Sequence, residues 1–309
     1  MIEIDKSIEQ GFSGKPNGLY DVLVQLQNLS LMTEGQIYYV CKKGNSTTGK
    51  SWANAFTTIA AAITASNATV SWAGNREDNY ILIAPGTYAE NLTSLPYYTT
   101  IIGLGVPGTA TPVIVYLTGG SAVAATTVLG TRIYNVRFEA DGAVNIFQAT
   151  TMNDCEIVEC TFCANDGDVV DGLEISSSTN LTVKNCKFIA DTEGTGMTNG
   201  MYFGSGTNFV FADIIGNIIA GCDGAGTGIY VNGNTVSSET VIRNNIIKLG
   251  GAGVGISVGQ TGSAYKQAMV IGNYIFTQAG TCIACDTDFA INNWHNNGTT
   301  VTNEPNMPT

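Results

Sequence analysis

IIGNII (214–219), IRNNII (242–247) and VIGNYI (270–275) share one frame, an asparagine set among aliphatic residues at an interval of 28. Those asparagines are Asn217, Asn245 and Asn273. Working outward, the frame also fits IYNVRF (133–138), IVECTF (157–162), VKNCKF (183–188) and AINNWH (290–295). These place Val136, Cys160, Cys186 and Asn293 at the asparagine's position. Two residues on stand Phe138, Phe162, Phe188, Ile219, Ile247, Ile275 and His295. The copies step by 24, 26, 31, 28, 28 and 20 residues, a period that belongs to solenoids.

A second series falls between the copies of the first. AVNI (143–146), GLEI (172–175), GMYF (200–203), GIYV (228–231) and GISV (255–258) carry Gly172, Gly200, Gly228 and Gly255 at intervals of 28, 28 and 27. Strand alternation turns Val144/Ile146, Leu173/Ile175, Met201/Phe203, Ile229/Val231 and Ile256/Val258 to one face. Asn145, Glu174, Tyr202, Tyr230 and Ser257 take the other. Two strand series with one period mean coils stacked on coils. The reading is an all-β chain, a right-handed single-stranded parallel β-helix. About seven or eight coils at roughly 4.8 Å each give a rod near 35–40 Å long. An asparagine at one turn of successive coils donates its amide to the next carbonyl, as in stacked cross-β ladders.

Composition narrows the function. The chain has 13 Lys+Arg against 25 Asp+Glu, a formal net charge of −12. That deficit of cations argues against nucleic acid, whose phosphates need Lys and Arg, and against an anionic membrane surface. At 44% apolar the chain can bury a core, and no apolar run approaches a membrane span. MIEIDKSIEQ (1–10) is acidic and is no secretory signal. Reduced thiols are therefore the expectation for the 8 cysteines.

A solenoid must cap its exposed strand edges. SWANAFTTIAAAITAS (51–66) spaces Trp52, Phe56, Ile59 and Ile63 along one helical face. With Ser51 as N-cap it reads as the capping helix. The expected organisation is an arm over 1–36, a cap over 37–79, the β-helix over 80–300 and a tail over 301–309. In the arm, Leu19, Val22, Leu23, Leu26 and Leu29 fit a helical face, while Tyr20, Val22, Val24 and Leu26 fit a strand. Either way that apolar surface is not needed to close the coils, so it is expected to serve assembly.

GKSWANAFTTIAAAI (49–63), ILIAPGTYAE (81–90), TIIGLG (100–105) and the N-x-I coils together resemble the pectin-lyase-like superfamily of right-handed parallel β-helices. The resemblance covers roughly residues 38–298 and includes a degenerate form of the closing N-x-W motif at Asn293-Trp294. It implies fold far more than activity, since the superfamily holds lyases, hydrolases, esterases, phage tailspikes and non-catalytic shells. DGLEI (171–175) resembles a polygalacturonase stretch, but the paired aspartates, G-H-G and R-I-K of those enzymes are missing. PGTYAE resembles pectin methylesterases without their Q-D-T and G-R-x-W motifs. Arg137 and Lys187 point outward, with no pectate-lyase motif around them.

The strongest candidate site is an acidic seam. Turns between the two strand series hold Glu139/Asp141, Asp166/Asp168, Asp191/Glu193 and Asp223, beside the outward row Glu174, Tyr202, Tyr230. Asp166, Asp168, Asp191 and Glu193 are the candidates for acid/base hydrolysis. Asp166, Asp168, Asp191 and Asp223 are those for Ca²⁺, the one cofactor worth considering. Glu174, Tyr202 and Tyr230 would form a glycan-binding row. Against these stands the plain reading that Asp and Gly build solvent-facing turns. Cys160/Cys163 and Cys282/Cys285 have C-x-x-C spacing but lie on strands, which turns the paired thiols apart and speaks against zinc. His295 reads as a fraying-end residue and GGAGVG (250–255) as a coil turn.

Three functions remain in play: a non-catalytic structural or adhesive surface protein such as a virion decoration or spike, a polysaccharide hydrolase or lyase, and a glycan-binding module. The first carries the expected partners, virion or capsid proteins or further copies of the chain as in a trimer. It also carries the expected location, a virion or cell-surface assembly.

Overall fold

A computed structural model describes residues 35–70, 78–105, 112–191, 196–204, 209–232, 237–258, 266–277, 280–285, 289–291 and 293–295. Of the described residues 59% are in strands and 4% in a helix, and the strands wind into a parallel β-solenoid. The arm residues Leu19, Val22, Leu23, Leu26 and Leu29 lie outside the described residues, as does the 301–309 tail.

Each coil has three sides. The first side starts at Ile37–Val40, Asn79–Ile83, Thr99–Gly103 and Arg132–Tyr134. It continues through the ends of Phe147–Val158 and Val169–Lys184 to Phe209–Ile215, Ser237–Arg243, Lys266–Ile271 and Phe289–Ile291. The second side stacks Gly86–Ala89, Val113–Leu117, Arg137–Ala140, Thr161–Ala164 and Lys187–Ala190. Above them come the start of Ile218–Val231, then Ile246–Leu249, Tyr274–Phe276 and Trp294–His295. The third side runs from Val123–Leu129 through the starts of Phe147–Val158 and Val169–Lys184. It goes on to Met197–Phe203, the end of Ile218–Val231, Val254–Val258 and Ile283–Cys285. The first side runs longest because Ile37–Val40 and Asn79–Ile83 extend it at the N-terminal end.

The repeat frame is the strand register. Phe138 pairs with Phe162, Phe162 with Phe188, Phe188 with Ile219, Ile219 with Ile247 and Ile247 with Ile275. All are buried, and the rings of Phe162 and Phe188 stack at 4.7 Å and 8°. The bend into the second side is made by Asn135, Glu159, Asn185, Gly216, Asn244 and Gly272, all at positive φ. Each stands directly before the frame position. Glycine and asparagine visit that left-handed region most readily, which accounts for the G-N and N-N pairs of the repeat.

Beyond this bend the asparagines form a saturated ladder. Asn217 Nδ2 donates to Asn245 Oδ1 at 2.9 Å, Asn245 Nδ2 to Asn273 Oδ1 at 3.0 Å and Asn273 Nδ2 to Asn293 Oδ1 at 2.9 Å. Each Oδ1 also accepts the backbone N–H of the preceding rung. Each Nδ2 has a second acceptor in a first-side carbonyl: Val183 for Asn217, Ile214 for Asn245 and Ile242 for Asn273, all at 3.0 Å. Asn217, Asn245 and Asn273 are fully buried. At the same position Cys160 and Cys186 aim their thiols at the matching carbonyls of Ile133 and Ile157, 3.6 and 3.5 Å away.

Two expectations need correction. The capping helix spans Ile59–Asn67, not 51–66, and its N-cap is Thr58, whose Oγ1 accepts from Ala61 N. Phe56 instead makes an isolated parallel bridge to Val40. Trp52 stays 44% exposed with its ring edge-on to Tyr39 at 4.7 Å. Only Ile59 and Ile63 of the four spaced apolar residues belong to the helix; Trp52 lies in the turn before it and Phe56 at an isolated bridge, and their spacing imitates a helical face. The second correction is a slip of register. Phe147, not Val144, pairs with Leu173, and Gln148, not Asn145, pairs with Glu174. Ala143–Asn145 belongs to the turn before the strand, and Ile146 and Phe147 are both buried, so an ungapped alternation starts three residues early.

Candidate functional site

The acidic seam separates into distinct arrangements. Arg137 projects from the second side, where its guanidinium ion-pairs with Glu139 and with Asp191 two coils on. Its Nη2 also lies 3.3 Å from the buried Cys163 Sγ. Asp141 binds the Tyr116 hydroxyl at 2.9 Å and the Gly119 amide. Asp168 accepts the Gly196 N–H at 3.1 Å. A Cβ on Gly196 would stand 2.3 Å from Asp223 Oδ1, so the turns of Asp168 and Asp223 close on that glycine from both sides. Burial, and then the charge of Asp168, raise the Asp223 carboxyl above its ordinary range. Asp166 is exposed, and Glu193 lies outside the described residues.

The outward row is assembled as its spacing predicts: Glu174 pairs with Tyr202, Tyr202 with Tyr230 and Tyr230 with Ser257. The tyrosine rings are 5.2 Å apart, tilted by 52°. Asn232 Nδ2 donates to Tyr202 OH at 3.0 Å.

Beside this row lies a carboxylate that sequence reasoning did not single out. Asp171 is buried at 5% exposure, and its Oδ1 accepts from Asn199 Nδ2 at 2.7 Å. Its backbone N–H donates to Asn145 Oδ1 at 3.1 Å, while Asn145 Nδ2 donates to Glu174. The signal was present in the polar residue one place before Gly172 and Gly200, namely Asp171 and Asn199. Burial raises the Asp171 carboxyl to about 6; the Asn199 hydrogen bond opposes the shift and Glu174 adds to it. A folded-state value above the unfolded 3.8 means that the folded protein binds the proton more tightly. The stabilisation is present below about pH 4 and is lost as pH rises through about 6. Two units correspond to about 3 kcal/mol. Asp171→Asn keeps an acceptor for Asn199 and should gain stability over the parent by up to that amount near pH 7, with little gain near pH 4. Urea midpoints at both pH values check this; an equal gain at both would rule out the titration of Asp171.

Burial raises the thiols of Cys155, Cys163 and Cys222 to about 12 and that of Cys186 well above its ordinary value. Thiols held this high are poor nucleophiles at neutral pH. Among the described residues no three His, Cys, Asp or Glu side chains converge as a metal site. The side chain of His295 lies outside the described set.

GNSTTGKS (44–51) also spells the pattern of a phosphate-binding loop. Its context differs, because such a loop opens a helix at its Lys-Ser, whereas here the helix begins at Ile59. The amides of Ile59 and Ala60 are already taken by the Glu90 carboxylate, at 2.9 Å each. Lys50 Nζ donates to Gln36 Oε1 at 2.6 Å and lies 4.1 Å above the Tyr38 ring.

No protein-family model, curated protein or solved structure matches the chain.

Proposed function

We propose that this chain is a non-catalytic structural or adhesive rod, a surface decoration or spike component of a virion, of the pectin-lyase-like right-handed β-helix kind. Its partners would be virion or capsid proteins or further copies of itself, joined through the 1–36 arm. The observation that carries this reading is the use of the seam's carboxylates within the molecule. Glu139 and Asp191 neutralise Arg137, Asp141 binds Tyr116 and Gly119, and Asp168 holds Gly196. Acid/base work needs carboxyl groups that face a substrate.

A second reading, a glycan-binding module, is favoured by the ladder of Glu174, Tyr202 and Tyr230, since stacked rings beside a carboxylate offer both an apolar face and hydrogen bonds to a sugar. One experiment addresses both. The purified protein is incubated with a panel of neutral and acidic polysaccharides, and retention, reducing ends and unsaturated sugars are followed together. The expected result is no product. Where a polysaccharide is retained, Tyr202→Ala and Tyr230→Ala should each weaken retention about tenfold, close to 1.4 kcal/mol. Turnover that disappears in Asp168→Asn or Asp191→Asn would overturn the non-catalytic reading.

A further inference from the structure

The outward row on the second side changes character along the rod. Above Thr87 and the half-buried Ile114, the row carries Arg137, Thr161 and Lys187, and then Ile218, Ile246, Tyr274 and Trp294. The last four are exposed by 38, 44, 52 and 49%. Phe276 widens the stripe, with its ring 5.1 Å from that of Trp294, and Lys248 stands in register with Phe276. Three inter-strand steps make the stripe about 14 Å long. A row of large apolar side chains at that constant pitch marks an interface.

We infer that this stripe is the contact between two copies of the chain, laid antiparallel about a two-fold axis between the rungs of Ile246 and Tyr274. The pitch of the stripe is matched by a second solenoid with the same pitch. The two-fold seats Ile246 of one copy on Tyr274 of the other and Ile218 on Trp294, leaving no member of the stripe uncovered. In the neighbouring row it brings Lys248 of each copy over Phe276 of the other, a cation–π pair made twice.

Charge selects this direction over the parallel one. Each copy carries −12, and Asp141, Asp166, Asp168 and Asp191 lie on the coils of Arg137, Thr161 and Lys187, before the stripe begins. Antiparallel copies hold these coils at opposite ends, with the two Lys187 rungs five steps or about 24 Å apart. That is well beyond the screening length of about 8 Å at physiological salt. Parallel copies would set the same acidic coils side by side. The contact uses residues outside the proposed glycan row and the arm, so it stands or falls independently of the function proposed above.

The test is the mass of the full chain in solution, followed by light scattering across a dilution series. The expected particle is a dimer of about twice 32.4 kDa. Ile246→Lys should raise the dissociation constant by at least about 30-fold with an unchanged circular dichroism spectrum. Val170→Lys, at an exposed position off the stripe, should leave the dimer intact. For direction, oxidation should cross-link an equimolar mixture of the Ile246→Cys and Tyr274→Cys single variants and not Ile246→Cys alone, since the two cysteines would be neighbours within a doubly substituted chain. A monomeric wild type overturns the inference, whether the stripe then holds the 1–36 arm or a different protein. A dimer that survives Ile246→Lys, dissociation by Val170→Lys as well, or cross-linking through Ile246→Cys alone overturns it too.

Discussion

Replacing Asn245 by leucine is expected to lower the stability of the rod by about 3–6 kcal/mol, a large part of the 5–15 kcal/mol of an ordinary domain. The leucine fills a similar volume but accepts and donates nothing. Asn217 then loses the acceptor of both its backbone N–H and its side-chain amide, and the Ile214 carbonyl loses a donor, all in a fully buried position. Each such group costs about 1–3 kcal/mol when left unpaired. Asn293→Leu breaks the ladder at its partly exposed last rung and should cost less. Denaturant midpoints of the two variants check the order. An Asn245→Leu protein that unfolds where the wild type does would mean that the ladder contributes nothing to stability.

The second large effect is steric. Gly172, Gly200, Gly228 and Gly255 lie where the third side passes close to the backbone of the next coil. A Cβ on Gly228 would meet the Gly255 carbonyl oxygen at 2.5 Å and Ile247 Cγ2 at 2.6 Å. The first obstacle is backbone and the second a core side chain in register with its neighbours, so neither can retreat alone. Gly228→Ala should therefore cost about 3 kcal/mol or more, the upper end for overpacking. Gly250, where an added Cβ would meet nothing within 4 Å, is the control. Gly250→Ala should be neutral or slightly stabilising through the unfolded chain. Equal midpoints for the two variants would show that the coils can separate to admit a methyl group.

The solenoid was legible because a frame repeated at nearly constant interval is also the pairing register, as Phe162, Phe188 and Ile219 demonstrate. Where the interval varies, the frame misleads: AVNI aligns with GLEI without a gap, although its first residues form the turn before Phe147. The start of the capping helix is not legible because Trp52 and Phe56 continue its spacing through the turn and bridge that precede it. For the site, the Glu174–Tyr202–Tyr230 row followed from alternation alone. The state of the acidic seam did not, because whether Asp191 is free or bound to Arg137 depends on a residue 54 positions earlier. Asp171 does not stand out in the sequence for a related reason: it occupies the one place before Gly172 where a turn residue is expected, and only its burial sets it apart.

The asparagine ladder also determines how such a rod can change length. Every interior rung takes from one neighbour the bonds that it gives to the other, so the two faces exposed by cutting after Asn245 are the same as those exposed one coil earlier. Asn217, Asn245 and Asn273 are separated by 28 residues each. A tandem duplication of 218–245 would thus add one complete coil whose new asparagine finds its donor and acceptor already in place. An in-frame recombination event between neighbouring repeats can lengthen or shorten the molecule in increments of about 4.8 Å, without a new core having to be invented.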